Sequence, residues 1–253
     1  MERAKMAKIY HHERQLERDL QHLKQRKVLY QLFCIAGLCV IIFIVWQYQL
    51  LVLILVAAAI IGLYMFSQCS LSKQLGKVTA GLAGEDRALQ VLSELPASYS
   101  IFPDIQIVVE GRKSQLDTII VGPTGVFVVE VKNHSGVIEG NVNDRELLQI
   151  KHDGHKKTIY NPVKQVATHT YRLHRYLCQH GVDYWIQGTV YFANDAVRID
   201  VAPHSSTPIF SVKDNGSKRL LCYIVERHGQ ALSRSEQRMV EKLIKQLLKE
   251  QAS

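Results

Sequence analysis

The hydrophobic pattern divides the chain into two parts. No Asp, Glu, Lys or Arg occurs from Val28 to Ser72, and two apolar runs, 28–45 and 50–66, fill most of that stretch. Each meets the roughly 17–25 apolar residues that a membrane-spanning helix requires. One continuous helix through both would be about 57 Å long, well beyond a hydrocarbon core of ~30 Å. The pattern therefore predicts a transmembrane hairpin of two antiparallel helices. They are joined by a tight turn, Trp46-Gln47-Tyr48-Gln49, whose Trp and Tyr suit the headgroup level.

Residues 81–253 alternate between helical and strand periods. Leu82, Ala88, Leu89, Leu92 and Leu95 recur at helical spacing, and Pro96 stops that helix. Strands are predicted at 101–109, 115–121 and 126–131. The last two are separated by the turn Gly122-Pro123-Thr124-Gly125. The third strand is nearly all apolar and therefore central. Residues 134–160 are polar and rich in His and Lys, with no clear period. Pro162 opens a helix whose apolar face is Val163, Val166, Ala167, Thr170, Leu173 and Leu177. A fourth strand follows at 186–193 and a short fifth at 209–212, then helices at 218–228 and 233–249. The order αβββαβ, followed by helices, describes a compact α/β domain around one core.

Charge orients the hairpin. Residues 1–27 hold eight Lys/Arg against four Asp/Glu, Lys73 and Lys77 follow the second run, and the turn between the runs has no charge. The positive-inside rule then puts both termini, and the domain at 81–253, in the cytoplasm, at the cell's inner (cytoplasmic) membrane. The tail 1–27 is expected to be a basic amphipathic helix, and 67–80 a connector. Met6, Ile9, Leu16, Leu20 and Leu23 fall on a heptad seam interrupted by Glu13. This leaves two readings of the tail, a homo-oligomer contact through 6–23 or a helix lying on anionic lipid headgroups. The transmembrane hairpin is the other route to self-association. The net charge of +8 is split between the short tail and the much longer remainder, so the domain is only mildly basic. Five scattered cysteines, without CxxC or zinc spacing, fit a reducing compartment.

Four charged residues occupy positions that a simple folding pattern would make apolar. Glu85 lies on the apolar face of its helix, three residues from Leu82 and from Ala88. Asp117 shares a strand face with Ile119 and Val121, and Glu130 and Lys132 share one with Val126 and Val128. Isolated charges there are costly. They make sense if they converge on a cation and on one another. Asp117 and Glu130 on neighbouring strands suit Mg²⁺ or Mn²⁺, which prefer oxygen donors. Lys132 suits charge on phosphoryl oxygens, and Glu85 can add an outer or further metal contact. Glu130 and Lys132 alone would read as an ordinary ion-paired strand surface. The combination with Asp117, Glu85 and the helix from Pro162 favours a metal site.

These pieces resemble the nuclease-related domain (NERD) family, within the PD-(D/E)xK nuclease superfamily. The resemblance rests on Gly81-Leu82-Ala83-Gly84-Glu85, the strand around Asp117, Glu130-Val131-Lys132-Asn133, and Asn161-Pro162-Val163-Lys164-Gln165. It implies a restriction-endonuclease-like core, DNA as partner, and Glu85, Asp117, Glu130, Lys132 and Gln165 as active-site positions. His169, one turn beyond Gln165, can face the same site. His134 stands where the family often has an aromatic residue, so substrate contacts there are expected to differ. The expected function is thus a membrane-anchored, Mg²⁺- or Mn²⁺-dependent nuclease, with Asp117, Glu130 and Glu85 on the metal and Lys132, Gln165 and Glu85 catalytic. The alternative is a non-catalytic, membrane-tethered nucleic-acid- or protein-binding module on the same fold.

Overall fold

The computed structural model describes residues 8–9, 15–46, 50–202, 207–213, 215–227 and 231–251. The chain divides into two compact units. One is Glu13–Leu82, and the other holds Ala83–Ser253 together with a short strand, β1, at Lys8–Ile9.

The first unit consists of helix α1, Gln15–Val45, and the part of helix α2, Leu50–Leu92, that ends at Leu82. Both helices are long and apolar enough to cross a membrane. Leu32, Ile35 and Leu38 of α1 and Ile60, Ile61 and Tyr64 of α2 line one apolar cleft, so the two lie side by side. No residue of α1 is buried, and Phe33, Phe43, Leu63 and Phe66 are 70–76% exposed. Large exposed apolar side chains of this kind mark an interaction surface. Trp46, at the expected turn, is exposed, whereas Gln47, Tyr48 and Gln49 lie outside the described residues. The connector expected at 67–80 is a helical continuation of α2, because Ser, Lys and Gln there are compatible with a helix and no Pro interrupts it. Among the described residues of the tail, Gln15 to Lys27 are helical, and Ile9 of the expected seam lies in β1, paired parallel to Ile101. Met6 and Glu13 lie outside the described residues.

The second unit is a mixed α/β fold with the expected αβββαβ order. After α2 come strands β2 (Ser100–Val109), β3 (Arg112–Gly122) and β4 (Gly125–Lys132). Helix α3 (Pro162–Gln179), strand β8 (Ile186–Phe192) and strand β10 (Ile209–Ser211) follow the insertion described below. Helices α4 (Gly216–Val225) and α5 (Arg234–Gln251) close the chain. The main sheet runs β1-β2-β3-β4-β8-β10, antiparallel from β2 to β4 and parallel from β4 through β8 to β10. β4 and β8 are buried strands covered on both faces, which is why they read as apolar runs. On one face Ile119, Val121, Val126 and Val128 pack with Val166 and Leu173 of α3 and Val240 and Ile244 of α5. On the other, Ile120, Phe127 and Val129 pack with Leu89 and Leu92 of α2 and Leu220 and Ile224 of α4.

The polar stretch 134–160 is not a loop. It forms strands β5 (Gly136–Asn141), β6 (Glu146–Ile150) and β7 (Lys156–Tyr160). With β9 (Val197–Ala202) these make a second sheet, ordered β7-β6-β5-β9. Each strand buries a single apolar side chain, Ile138, Leu147, Ile159 or Val197, so period-two alternation is too short to stand out from the Lys- and His-rich sequence.

Candidate functional site

The site forms at the end of β4, where three local features bring side chains together. β3 and β4 are paired up to Thr118–Val129. One step further the ladder opens, and Asp117 Oδ2 accepts a hydrogen bond from the Val131 amide at 2.8 Å. The carboxylate of Asp117 thus takes the place of a backbone acceptor and is held against β4. Second, α3 comes close to the sheet at Gly188, where a Cβ would lie 3.1 Å from Val166 and Thr170. That approach aims Gln165 and His169 at Glu130 and Lys132. Third, Gly84 lets α2 approach Asn133 just past β4, since a Cβ there would lie 2.6 Å from Asn133 Cβ. Glu85 follows directly and reaches the electrostatic field of Asp117 and Lys132.

Glu130 is the centre of the cluster and is 0% exposed. Lys132 Nζ donates to Glu130 Oε1 at 2.6 Å and to Gln165 Oε1 at 3.0 Å. His169 Nδ1 lies 3.0 Å from Glu130 Oε2, an ion-pair distance. That contact falls outside strict hydrogen-bond geometry, and neither Glu130 Oε2 nor His169 Nδ1 has another hydrogen-bond partner. Burial pushes the Glu130 carboxyl up, but His169 and Lys132 outweigh it and hold the group below the ordinary carboxylate range. Asp117 goes the other way. Burial, then repulsion by Glu130, lifts it well above the usual range, and Lys132 and the Val131 amide only partly offset this. Burial pushes Lys132 down, yet Glu130, Asp117 and Glu85 keep its ammonium above the usual lysine range.

Three carboxylates against one lysine leave the cluster short of positive charge. A hard divalent cation fits this donor set. Asp117 and Glu130 offer oxygens from adjacent strands, Glu85 offers a third carboxylate, and Glu130 Oε2 is a buried acceptor with no directed partner. Asp117, Glu130, Lys132, Gln165 and His169 therefore meet at one place, with Glu85 near enough to act on Asp117 and Lys132 through its charge. The His152, His155, Lys156 and Lys157 side chains of the former polar stretch are exposed instead. Beside the start of α3, Asn143, Arg145, Tyr160, Lys164, Thr168 and Tyr171 line an open groove of about 670 Å³.

Three residues near the site have surroundings that the sequence pattern does not show. Asn161 is fully buried as the N-cap of α3, where its Oδ1 accepts from Val163 N at 2.9 Å. Its Nδ2 donates to the carbonyls of Asn141, Val142 and Asp144 at 3.3, 3.1 and 2.8 Å. Asn161 therefore ties α3, and so Gln165, to the turn between β5 and β6. Asp104 is 1% exposed and sits between the β2–β3 pairs Pro103–Thr118 and Ile105–Leu116, across from Asp117. Its φ of 52° lies in the left-handed region, and its Oδ1 accepts from Gln115 Nε2 at 2.6 Å. An acid inside the apolar run Phe102-Pro103-Asp104-Ile105 was its signal. His134, next to the site, is driven down to about 4 by burial and by Lys132 and Lys157, which leaves it neutral at neutral pH.

Comparison with known proteins agrees with this geometry. Residues 80–193 match the family model of the nuclease-related domain. That span begins just before Glu85, contains Asp117, Glu130, Lys132, Gln165 and His169, and ends just past β8. An uncharacterized protein of Bacillus anthracis is 43% identical over 63 residues, 24% of this chain and 30% of that protein. The chain thus aligns with less than a third of that relative's length. No solved structure matches the chain. Fold order, buried acid–lysine cluster and this match agree over residues 80–193, the segment that matches the nuclease-related domain.

Proposed function

We propose that the chain is a nuclease that hydrolyses phosphodiester bonds of DNA with Mg²⁺ or Mn²⁺, anchored by its two apolar helices to the cytoplasmic face of a membrane. The observation that carries this reading is Glu130, a fully buried carboxylate held by Lys132 and flanked by Asp117, with one oxygen lacking a directed hydrogen bond. A fold that needed only stability would favour an apolar residue at that position.

Asp117 and Glu130 would hold the ion, with Glu85 as the additional carboxylate. When bound, the ion supplies Lewis-acid activation of water and of the phosphoryl group. Lys132 has a separate task. Its ammonium stays charged and is fixed between Glu130 and Gln165, so it can meet negative charge that develops on a phosphoryl oxygen without reorganising. Gln165 orients that ammonium, and its amide nitrogen is a further donor for a phosphate or a water. His169 steadies the second oxygen of Glu130. The adjoining groove supports a nucleic-acid substrate, because Arg145 and Lys164 suit phosphates while Tyr160 and Tyr171, 49% and 56% exposed, suit bases.

The test is cutting of plasmid and linear DNA by the full chain in detergent, with Mn²⁺, Mg²⁺ or chelator, beside Asp117→Ala and Lys132→Ala. Metal-dependent cutting that both variants lose supports the reading. Cutting that survives in them comes from elsewhere, and Mn²⁺ binding without cutting of DNA or RNA supports the binding-module alternative. Protease accessibility of both termini in sealed inner-membrane vesicles tests the orientation.

A further inference from the structure

A second cluster of metal-ligating side chains lies on the C-terminal half of α3, built from softer donors than the first. His174 and Cys178 are four residues apart, on one helix face. Gly181, with a φ of 76°, turns the chain at the helix end, and Val182 N returns to Leu177 O at 3.0 Å. This turn brings Asp183 back over the same face. His174 Nε2 is 3.5 Å from Cys178 Sγ and 3.8 Å from Asp183 Oδ1, and Cys178 Sγ is 3.8 Å from Asp183 Oδ1. The i, i+4 pair of His174 and Cys178 is visible in the sequence, but the set is not, because its third member arrives only through the turn.

We propose that His174 Nε2, Cys178 Sγ and Asp183 Oδ1 form a Zn²⁺ site, with its fourth position open to solvent, that clips the end of α3 to the turn leading into β8. The distances suit it. With Zn–S near 2.3 Å and Zn–N or Zn–O near 2.0–2.1 Å at tetrahedral angles, sulfur lies about 3.6 Å from a nitrogen or oxygen ligand, and nitrogen about 3.4 Å from oxygen. All three observed separations fall within about half an ångström of these values. The imidazole is also prepared for the role. His174 Nδ1 lies 3.0 Å from the Tyr184 carbonyl, which takes the Nδ1 proton as a hydrogen bond and leaves the Nε2 lone pair facing Cys178 and Asp183. A thiolate–imidazole set selects Zn²⁺ over the Mg²⁺ or Mn²⁺ that suits Asp117 and Glu130. Binding releases the Cys178 thiol proton to solvent, so thiolate and carboxylate together balance the two charges of the ion. Arg175, the nearby cation, is paired with Glu110 at 3.0 Å.

The test uses the full chain in detergent, stripped with chelator and titrated with Co²⁺ and then Zn²⁺. One equivalent of Co²⁺ is expected to give tetrahedral visible absorption together with thiolate-to-cobalt charge transfer, both removed by Zn²⁺. Cys178→Ser abolishes the charge-transfer band and His174→Ala weakens Co²⁺ binding at least tenfold, whereas Cys222→Ser leaves both unchanged. Absence of the band in the parent chain, or its persistence in Cys178→Ser, overturns the site. The readout is spectroscopic, so it stands apart from the nuclease reading.

Discussion

The two faces of β4 have the same register and the same burial but different chemistry. Phe127, Val129 and Val131 face α2 and α4 inside an apolar cluster. Val126 and Val128 face α3 in the same manner, and then that face continues into Glu130 and Lys132. Glu130 is as buried as Phe127, at 0% exposure. The hydrophobic effect accounts for the first face, since each such side chain contributes roughly 1.5–3 kcal/mol on burial. It does not account for the second, because a buried ion pair roughly breaks even or costs stability against apolar residues of the same size. The difference separates what holds the domain together from what the domain is for. On the proposed function, residues on the first face serve folding and those at the end of the second serve chemistry.

The sharpest way to break this distinction is Glu130→Gln. Cutting of DNA by the full chain with Mn²⁺ is expected to fall by ~10³-fold or more, equivalent to about 4 kcal/mol, while chemical denaturation shows the fold retained. Unfolding of this variant would move Glu130 to the structural side. Phe127→Ala is the converse, with an expected loss of about 3–5 kcal/mol in denaturant unfolding and unchanged activity per folded molecule. Lys132→Met removes the ammonium and keeps the apolar stem, and cutting is expected to drop by ~10²-fold. Gln165→Ala acts only through orientation and is expected to cost about tenfold, roughly 1.4 kcal/mol, in single-turnover cutting.

The smallest effect concerns stability alone. Burial and the neighbouring Glu130 hold the Asp117 carboxyl well above its usual range. Its folded pKa therefore exceeds its unfolded one, and ionising it opposes folding. That cost is absent below the ordinary carboxylate pKa of about 3.9, grows as pH rises toward the raised value, and is complete above it. Asp117→Asn is expected to raise the thermal midpoint of the metal-free chain at neutral pH, with the gap closing in acid. A midpoint that falls instead would mean that the Val131 hydrogen bond outweighs the charge.

The acid–lysine cluster was legible in the sequence because each member breaks a short-range rule. Asp117, Glu130 and Lys132 interrupt the alternation of buried strands, and Glu85 interrupts a helical stripe. His169 was legible as one turn beyond Gln165. The second sheet was not, because strands of five or six residues with one or two buried side chains carry little period. Asn161 was visible as part of a motif but not in its role. Its partners Asn141, Val142 and Asp144 are far away in the chain and are backbone carbonyls, which leave no trace in side-chain pattern. The continuity of α2 through residues 67–80 was missed because polarity there resembled a connector, although nothing in it opposes a helix.

Residue identity and local period by themselves determined the two apolar helices, the αβββαβ order and the charged positions that folding alone does not explain. Those properties arise from neighbours within a turn or a strand. Only the tertiary structure decided which partner each charge has. Glu130 is held by Lys132 and approached by His169, Asp117 is bound by a β4 amide, and Asp183 returns to His174 and Cys178. The reason is that carboxylates, amides and imidazoles act over about 3 Å, whereas sequence period says only which face a side chain takes. The close approaches at Gly84 and Gly188, between segments distant along the chain, turn a shared face into a site.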